Sequence, residues 1–541
     1  MFKRIIIYSF LFLSSSVFSQ SVDRPKLVVG IVIDQMRYDY IYRFWDKYSA
    51  NGFKRLVNDG FFCKNTNYNY VPTYTAPGHS SIYTGTTPAV NGIIANDWFD
   101  RKMGKNGYCV TDNTVMGVGS AAEEGKRSPA NLLTTTITDE LRLATNKKSK
   151  VIAISLKDRS SILPGGHMAN AAYWYEGSSG NFISSTYYMT ELPKWVQGFN
   201  TRQLPKKYLS EDWKTMLPID EYVESINDDY AFETKFVGEE KPVFPHHLSD
   251  LISKNGGFAM IRSTPFGNSL LKDFAMETMT NENLGKSGTT DFMAISFSST
   301  DYVGHAYGPN SIELEDTYIR LDKEISELLD FIDAQVGKKN ALIFLTADHG
   351  AMEIPAYLQE LKIPAGYVNE AKIADSLKKY LTTIYGVPLV LQYYDQQVYL
   401  DHKTIETKKL KLQDVQNSVA VFFQKIPEVM ETLTATELSA TSFNEGTKAL
   451  MQRGFNIKRS GDVLVNYVPG YGGYHATGTS HGSPFAYDTH VPLIFYGWNI
   501  SAGSTVTPIV IPDIAATLAM LLNIQFPNGC NGKPIEAVLK K

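Results

Sequence analysis

The chain has 541 residues, 43% of them hydrophobic and 20% charged, with a formal net charge of -4. That length supports one large core with an insertion or second lobe, and the composition excludes a disordered or fibrous protein. With no basic surplus, nucleic acid is excluded as an expected partner.

The opening segment MFKRIIIYSFLFLSSSVFSQ carries Lys3 and Arg4, an apolar run from Ile5 to Leu13, and small residues at Ser14 to Ser16 and Ser19. This is the layout of a secretory signal peptide over residues 1–19, with an apolar run too short to span a bilayer. The mature protein is expected to begin near Gln20, to be periplasmic or secreted, and to be free of the membrane after export.

A Val- and Ile-rich run from Lys26 to Ile33 then ends in Asp34, and similar runs cover Lys150–Leu156, Phe292–Ser298, Ala341–Thr346 and Pro492–Tyr496. Continuous apolar runs suit strands buried on both faces of a parallel sheet. Between them, Leu314, Tyr318, Leu321, Ile325, Leu328 and Ile332 lay one apolar stripe along a helix. The fold class is therefore α/β, a largely parallel sheet sandwiched by helices. The core is expected from residues 20–166, 286–355 and 471–541. Residues 167–285 and 356–470, richer in aromatic, Pro, Lys and Glu residues, are read as an inserted cap or side lobe.

Three cysteines, Cys63, Cys109 and Cys530, are too few and too scattered for a thiolate metal site. In an oxidising compartment Cys63 and Cys109 are the plausible pair for one bridge, set against two simple buried thiols.

Open α/β sheets bind ligands at the carboxyl ends of their strands, so the residues there carry the functional reading. After the first strand comes Asp34, and later Thr73-Tyr-Thr75-Ala-Pro77-Gly-His79 leads into a short helical pattern. A hydroxyl at a helix N-terminus is placed to meet an anion, though an ordinary Thr cap fits the same letters. Asn96, in GIIAND, is an amide donor or a turn residue. Lys157 and Arg159 leave their strand two residues apart, as a point charge and a planar fork for one phosphoryl group or as plain surface charge. Asp301 and His305 stand four apart, and Asp348-His349 ends its strand at Gly350. His481 sits in a glycine-flanked loop. His490, in Asp488-Thr-His490, is ambiguous between a ligand and a neighbour of one; His167, His246, His247, His402 and His475 show no comparable partner.

Three carboxylates (Asp34, Asp301, Asp348) and three imidazoles (His305, His349, His481) suit two metal ions, and the mixture favours zinc over magnesium or calcium. Thr75, weak as a free alcohol, needs a metal beside it to act as a nucleophile.

Taken in order, Asp34, Thr75 in TAPGH, Asn96 in GIIAND, Lys157 and Arg159 in LKDR, Asp301 with His305, Asp348-His349-Gly350 and His481-Gly482 resemble the alkaline phosphatase superfamily. The likeness is nearest to the phosphate-insensitive bacterial alkaline phosphatases of the PafA type, and next to nucleotide pyrophosphatase/phosphodiesterases. The resemblance implies one zinc on Asp301, His305 and His481, and a second on Asp34, Asp348 and His349 with Thr75 coordinated to it. It further implies that Asn96, Lys157 and Arg159 contact the transferred phosphoryl group, which passes through a phosphothreonine. Small-molecule phosphate monoesters are the expected substrates of a monomeric enzyme, because the Lys157/Arg159 pair answers the extra charged oxygen of a monoester. A phosphodiesterase on the same site is the competing reading, and a non-catalytic secreted zinc- or phosphate-binding protein a distant one.

Overall fold

The computed structural model describes residues 23–473 and 477–540. The expected export signal and His475 lie outside the described residues.

A ten-stranded sheet organises the chain. Its strands are β1 (Leu27–Ile33), β2 (Phe61–Cys63), β3 (Gly117–Val118), β4 (Val151–Ser155), β5 (Ala171–Glu176), β6 (Asn181–Ser185), β7 (Asp291–Phe297), β8 (Ala341–Thr346), β9 (Leu493–Gly497) and β10 (Gly503–Thr505). The spatial order is β10-β2-β9-β8-β1-β7-β4-β5-β6-β3. β1 pairs in parallel with both β7 and β8, placing Val28 beside Phe292 and Leu342. β7 continues in parallel to β4 and β4 to β5, so the five central strands point the same way. β9 closes the other side antiparallel to β8. Every residue of β1, β4, β7 and β8 is buried, which is why these segments read as unbroken apolar runs.

The functional helices start just beyond this carboxyl edge: α1 (Thr75–Thr84), α2 (Asp158–Gly165) and α3 (Ser299–Tyr307). A long helix, α4 (Ile312–Val336), follows α3 and buries the predicted stripe from Leu314 to Ile332 in the principal core. Its start is set by Ser311, whose hydroxyl accepts a hydrogen bond from Leu314 N at 3.2 Å.

The stretch 167–285, expected as part of a side lobe, instead extends the main sheet. β5 and β6 lie within it, and Phe199, Trp213 and Phe274 belong to the principal core. Its polar and aromatic letters concealed a two-sided burial: in β5, AAYWYE, all six residues are buried. Residues 356–470 differ. They contain a four-stranded sheet (Val390–Tyr394, Gln397–Leu400, Val463–Tyr467, Val429–Thr434) with an apolar cluster of its own around Leu377, Leu381, Val398, Val419 and Phe423.

Cys63, Cys109 and Cys530 are all free thiols, the first two buried, so the Cys63–Cys109 bridge is not formed. Cys63 lies in β2 within the principal core and Cys109 in a separate cluster around Trp98 and Trp174. Burial pushes the Cys63 thiol up to about 12, which leaves it protonated and inert. Among the described residues no helix is long and apolar enough to cross a membrane.

Candidate active site

Ten residues singled out in the sequence map onto this carboxyl edge, and the structure brings the six candidate ligands and Thr75 together. Asp34 follows β1, Lys157 follows β4, Asp301 lies in the first turn of α3, and Asp348 and His349 follow β8. His481 arrives from the loop before β9. His349 and His481 stack face to face with ring centroids 3.5 Å apart.

Two compact groups of donor atoms result. Asp301, His305 and His481 form the first; Asp34, Asp301 and His349 form the second. Asp301 thus belongs to both, its Oδ1 lying 3.2 Å from His305 Nε2 and 3.7 Å from His481 Nε2. Asp348, expected beside Asp34 and His349, stands slightly apart. Its Oδ1 accepts from Gln35 N at 3.1 Å, while its Oδ2 lies 3.3 Å from His79 Nδ1 and 3.6 Å from His349 Nε2.

Each imidazole is held in a defined tautomer. The Nδ1–H of His305 donates to Thr479 O at 2.8 Å, that of His349 to Gly350 O at 2.9 Å, and that of His481 to Thr73 O at 2.8 Å. All three Nε2 lone pairs therefore turn toward the carboxylates, which is how second-partner hydrogen bonds prepare metal-binding histidines. Asp34 Oδ1 and Asp348 Oδ2 are buried and accept no hydrogen bond from the described residues. Orphaned anionic oxygens at the focus of three aimed imidazoles fit a pair of divalent cations.

The electrostatics agree. Burial, then the neighbouring Asp301 and Asp348 charges, hold the Asp34 carboxyl well above the usual range. At Asp301 burial acts in the same sense, but His305 and Lys157 outweigh it and hold that carboxyl well below. Burial depresses His349, and burial together with the facing His349 and His305 rings depresses His481 strongly, so both remain neutral ligands near neutrality. At His305 burial opposes the charged ring, yet the Asp301 carboxylate prevails and raises its pKa.

Lys157 is the cation that occupies the centre. Its Nζ donates to Asp34 Oδ2 at 2.7 Å and to Asp301 Oδ2 at 2.6 Å. Burial works against this charge, but the two carboxylates outweigh it and raise the lysine pKa.

Thr75 opens α1 and is 1% exposed, with Tyr74 as the residue before the helix making no side-chain cap. Its Oγ1 lies 3.5 Å from His349 Nε2. The helix can reach the strand end because residue 78 is Gly: a Cβ there would fall 2.3 Å from Asp348 O. Asn96 Oδ1 accepts from Ala76 N at 2.9 Å, which turns its amide NH2 away from the helix backbone. Arg159 donates through Nη1 to Tyr108 Oη at 3.1 Å, and Tyr108 in turn donates to Asp158. Asp158 is neutralised by Arg127 at 2.9 Å, so Arg159 has no carboxylate partner among the described residues.

Sequence reasoning missed the residues that position these groups. Gln35 Nε2 donates to Asp301 Oδ1 at 2.8 Å, from a backbone at φ 64°. His79, the last residue of the TAPGH run, is buried and lies within 2.9 Å of Thr75 O through Nδ1 and 2.8 Å of Ser296 Oγ through Nε2. The TAPGH letters hint at this, since a ring four residues along a helix faces back to residue 75. His490 is no member of the site: its Nε2 lies 2.9 Å from Lys64 O and its ring stacks on Tyr38. His246 and His402, which show no comparable partner in the sequence, have acids beside them through tertiary contacts: Glu239 at 2.7 Å and Asp462 at 2.6 Å.

Comparison with known proteins adds to this geometry. The profile of the type I phosphodiesterase / nucleotide pyrophosphatase family matches residues 28–485. Alkaline phosphatase PhoV of Synechococcus elongatus is 46% identical over 525 residues, covering 97% of this chain and 95% of that protein. A protein of Myroides odoratus named calcium-transporting ATPase is 45% identical over 528 residues, covering 97% and 96%. Alkaline phosphatase PafA of Elizabethkingia meningoseptica is 43% identical over 525 residues, covering 96% of each chain. A crystal structure of wild-type alkaline phosphatase PafA superposes with a TM-score of 0.92, covering 96% of this chain and all of that one.

Proposed function

This chain belongs to the type I phosphodiesterase / nucleotide pyrophosphatase family and is a hydrolase of the alkaline phosphatase type; on that premise we propose that it is an exported di-zinc phosphomonoesterase with Thr75 as nucleophile. The observation that carries the reading is the pair of donor groups with their aimed Nε2 atoms and orphaned carboxylate oxygens, set against a buried threonine hydroxyl.

Asp301, His305 and His481 would hold one ion, and Asp34, Asp348 and His349 the other. When bound, the metals supply Lewis-acid charge, ease deprotonation of the attacking hydroxyl and of water, and take over from Lys157 the neutralisation of Asp34 and Asp301. Thr75 attacks phosphorus in line with the leaving oxygen, forming a phosphothreonine that water then cleaves, regenerating the hydroxyl and releasing phosphate. The start of α1 keeps that hydroxyl fixed, and His79, anchored to Thr75 O and Ser296, holds the turn against Asp348. Asn96 presents its amide to a phosphoryl oxygen because Ala76 N occupies its carbonyl. Arg159, free of carboxylates, and Lys157 answer the remaining oxygens.

That last pair favours monoesters over diesters, since a diester carries an alkyl or nucleosidyl group where the second cation expects charge. The test measures kcat/KM of the zinc-loaded protein on an aryl phosphate and the matching diester. Changing Lys157 and Arg159 together to Ala is expected to lower monoester turnover by about 10²–10³-fold, as for loss of transition-state donors, and diester turnover far less. Equal losses on both substrates would remove the pair from substrate recognition.

A further inference from the structure

A cavity of about 220 Å³ opens beside the phosphoryl-binding pair, lined by Lys157, Arg159, Arg127, Arg262, Tyr302 and Trp174 among others. Its charge is unbalanced. Lys157 is engaged by Asp34 and Asp301, and Arg127 by Asp158. Arg159 is assigned above to the transferred phosphoryl group. Arg262 is left over. Among the described residues it has no carboxylate partner; its Nη2 donates to Tyr175 O at 2.7 Å, and its Nε is buried with no acceptor. The one other acid on the lining besides Asp158 is Glu124, exposed to solvent.

A guanidinium held by one backbone carbonyl and packed over an aromatic ring, here Tyr175 at 5.4 Å, is oriented yet electrostatically unspent. In a partly enclosed cavity such a group is a ready partner for an anion, because the surroundings screen it less than bulk water does. The cavity also borders the donor groups. Tyr302, on its wall, adjoins Asp301 on α3, the carboxylate shared by both donor groups. Tyr302 also lies under Lys157 Nζ, 5.1 Å from the ring centre.

We propose that this cavity is a subsite for a second anionic group of the substrate, with Arg262 as its partner, so that the preferred monoesters carry a further phosphate or carboxylate on the leaving group. The proposal rests on the phosphatase reading above and narrows it to bis-anionic substrates. Tyr302 and Trp174 form the walls along which the linking part of such a substrate lies.

The test compares phenyl phosphate with hydroquinone bisphosphate, the same ring bearing a second phosphate, on the full zinc-loaded protein. After correction for its two equivalent esters, the bisphosphate is expected to show a kcat/KM about tenfold higher, a preference that shrinks as salt is added. Arg262→Gln is expected to remove about tenfold from the bisphosphate while phenyl phosphate stays within about twofold, and Arg262→Lys to restore part of the loss. A wild-type protein without the preference, or with one indifferent to salt, overturns the proposal. So does an equal loss on both substrates in Arg262→Gln, which would make Arg262 structural. Calorimetric binding of the bisphosphate to Thr75→Ala, with and without Arg262→Gln, carries the same comparison independently of turnover. Absence of turnover on both substrates with Arg262-dependent binding intact would strike the phosphatase reading and leave the subsite standing.

Discussion

The two donor groups share Asp301 and are joined by the stack of His349 on His481, yet they live in different surroundings. Asp34, Asp348 and His349 are wholly buried at the ends of neighbouring parallel strands, whereas the His305 side chain is 36% exposed on the short helix α3. Strand ends in the middle of a sheet cannot move independently. A ring on a two-turn helix at the rim can. On the proposed mechanism, the buried group would fix the nucleophile, which needs rigidity, and the rim group would serve the leaving group and water, which must come and go.

The largest expected effect tests the buried side. On the proposed reading Thr75→Ala should keep both metals, because its hydroxyl would be one ligand among several, while aryl phosphate turnover falls by on the order of 10⁴-fold or more, the scale of nucleophile removal. Metal content by mass spectrometry and single-turnover rates check this; near-normal turnover would take Thr75 out of its role.

Next comes the comparison itself. Asp348→Ala is expected to cost about 10³-fold and His305→Ala about 10²-fold, the latter partly restored by excess zinc. Because the Asp301 carboxylate raises the His305 pKa while burial lowers those of His349 and His481, acid should protonate the rim ring first. One metal equivalent should therefore leave at higher pH than the other, and loss of both in a single step would break the distinction.

The smallest effect concerns the support of His481. Asp488 is fully buried and accepts from Ser483 N at 2.7 Å, and burial holds its carboxyl up at about 7. A carboxyl raised in the folded state stabilises fully below its unfolded value and loses that contribution as pH rises through the folded one. Asp488→Asn keeps the acceptor but cannot ionise. Its Tm relative to wild type should therefore climb between about pH 4 and pH 8, with turnover at neutral pH within about twofold. A Tm difference independent of pH would show that Asp488 is ionised in the fold.

The strand-end candidate residues were legible because their signal is local. Each of Asp34, Asp301, Asp348 and His349 follows an apolar run whose length and composition mark a buried strand, and strand ends are where α/β sheets place ligands. The supporting residues were not. Gln35 reads as a turn residue, and its contact with Asp301 joins positions 266 apart in sequence. His246 and His402 read as solitary because their acids come from elsewhere in the fold. The lobe boundary failed at 167–285 for a related reason: Tyr, Trp and Ser can face a packed interior as readily as a surface, and only pairing with β4 determines which.

By itself the sequence determined the α/β class, the central strands, the α4 stripe and the ordered set of candidate metal- and phosphate-binding residues, since these depend on periodicity and short spacings. The tertiary structure alone decided which acid both donor groups share, how carbonyls from three separate loops set the imidazole tautomers, that Cys63 and Cys109 stay apart, and that Arg262 is left without a counter-charge among the described residues. Those outcomes depend on distances between segments far apart in the chain, and no local pattern of side chains encodes such a distance.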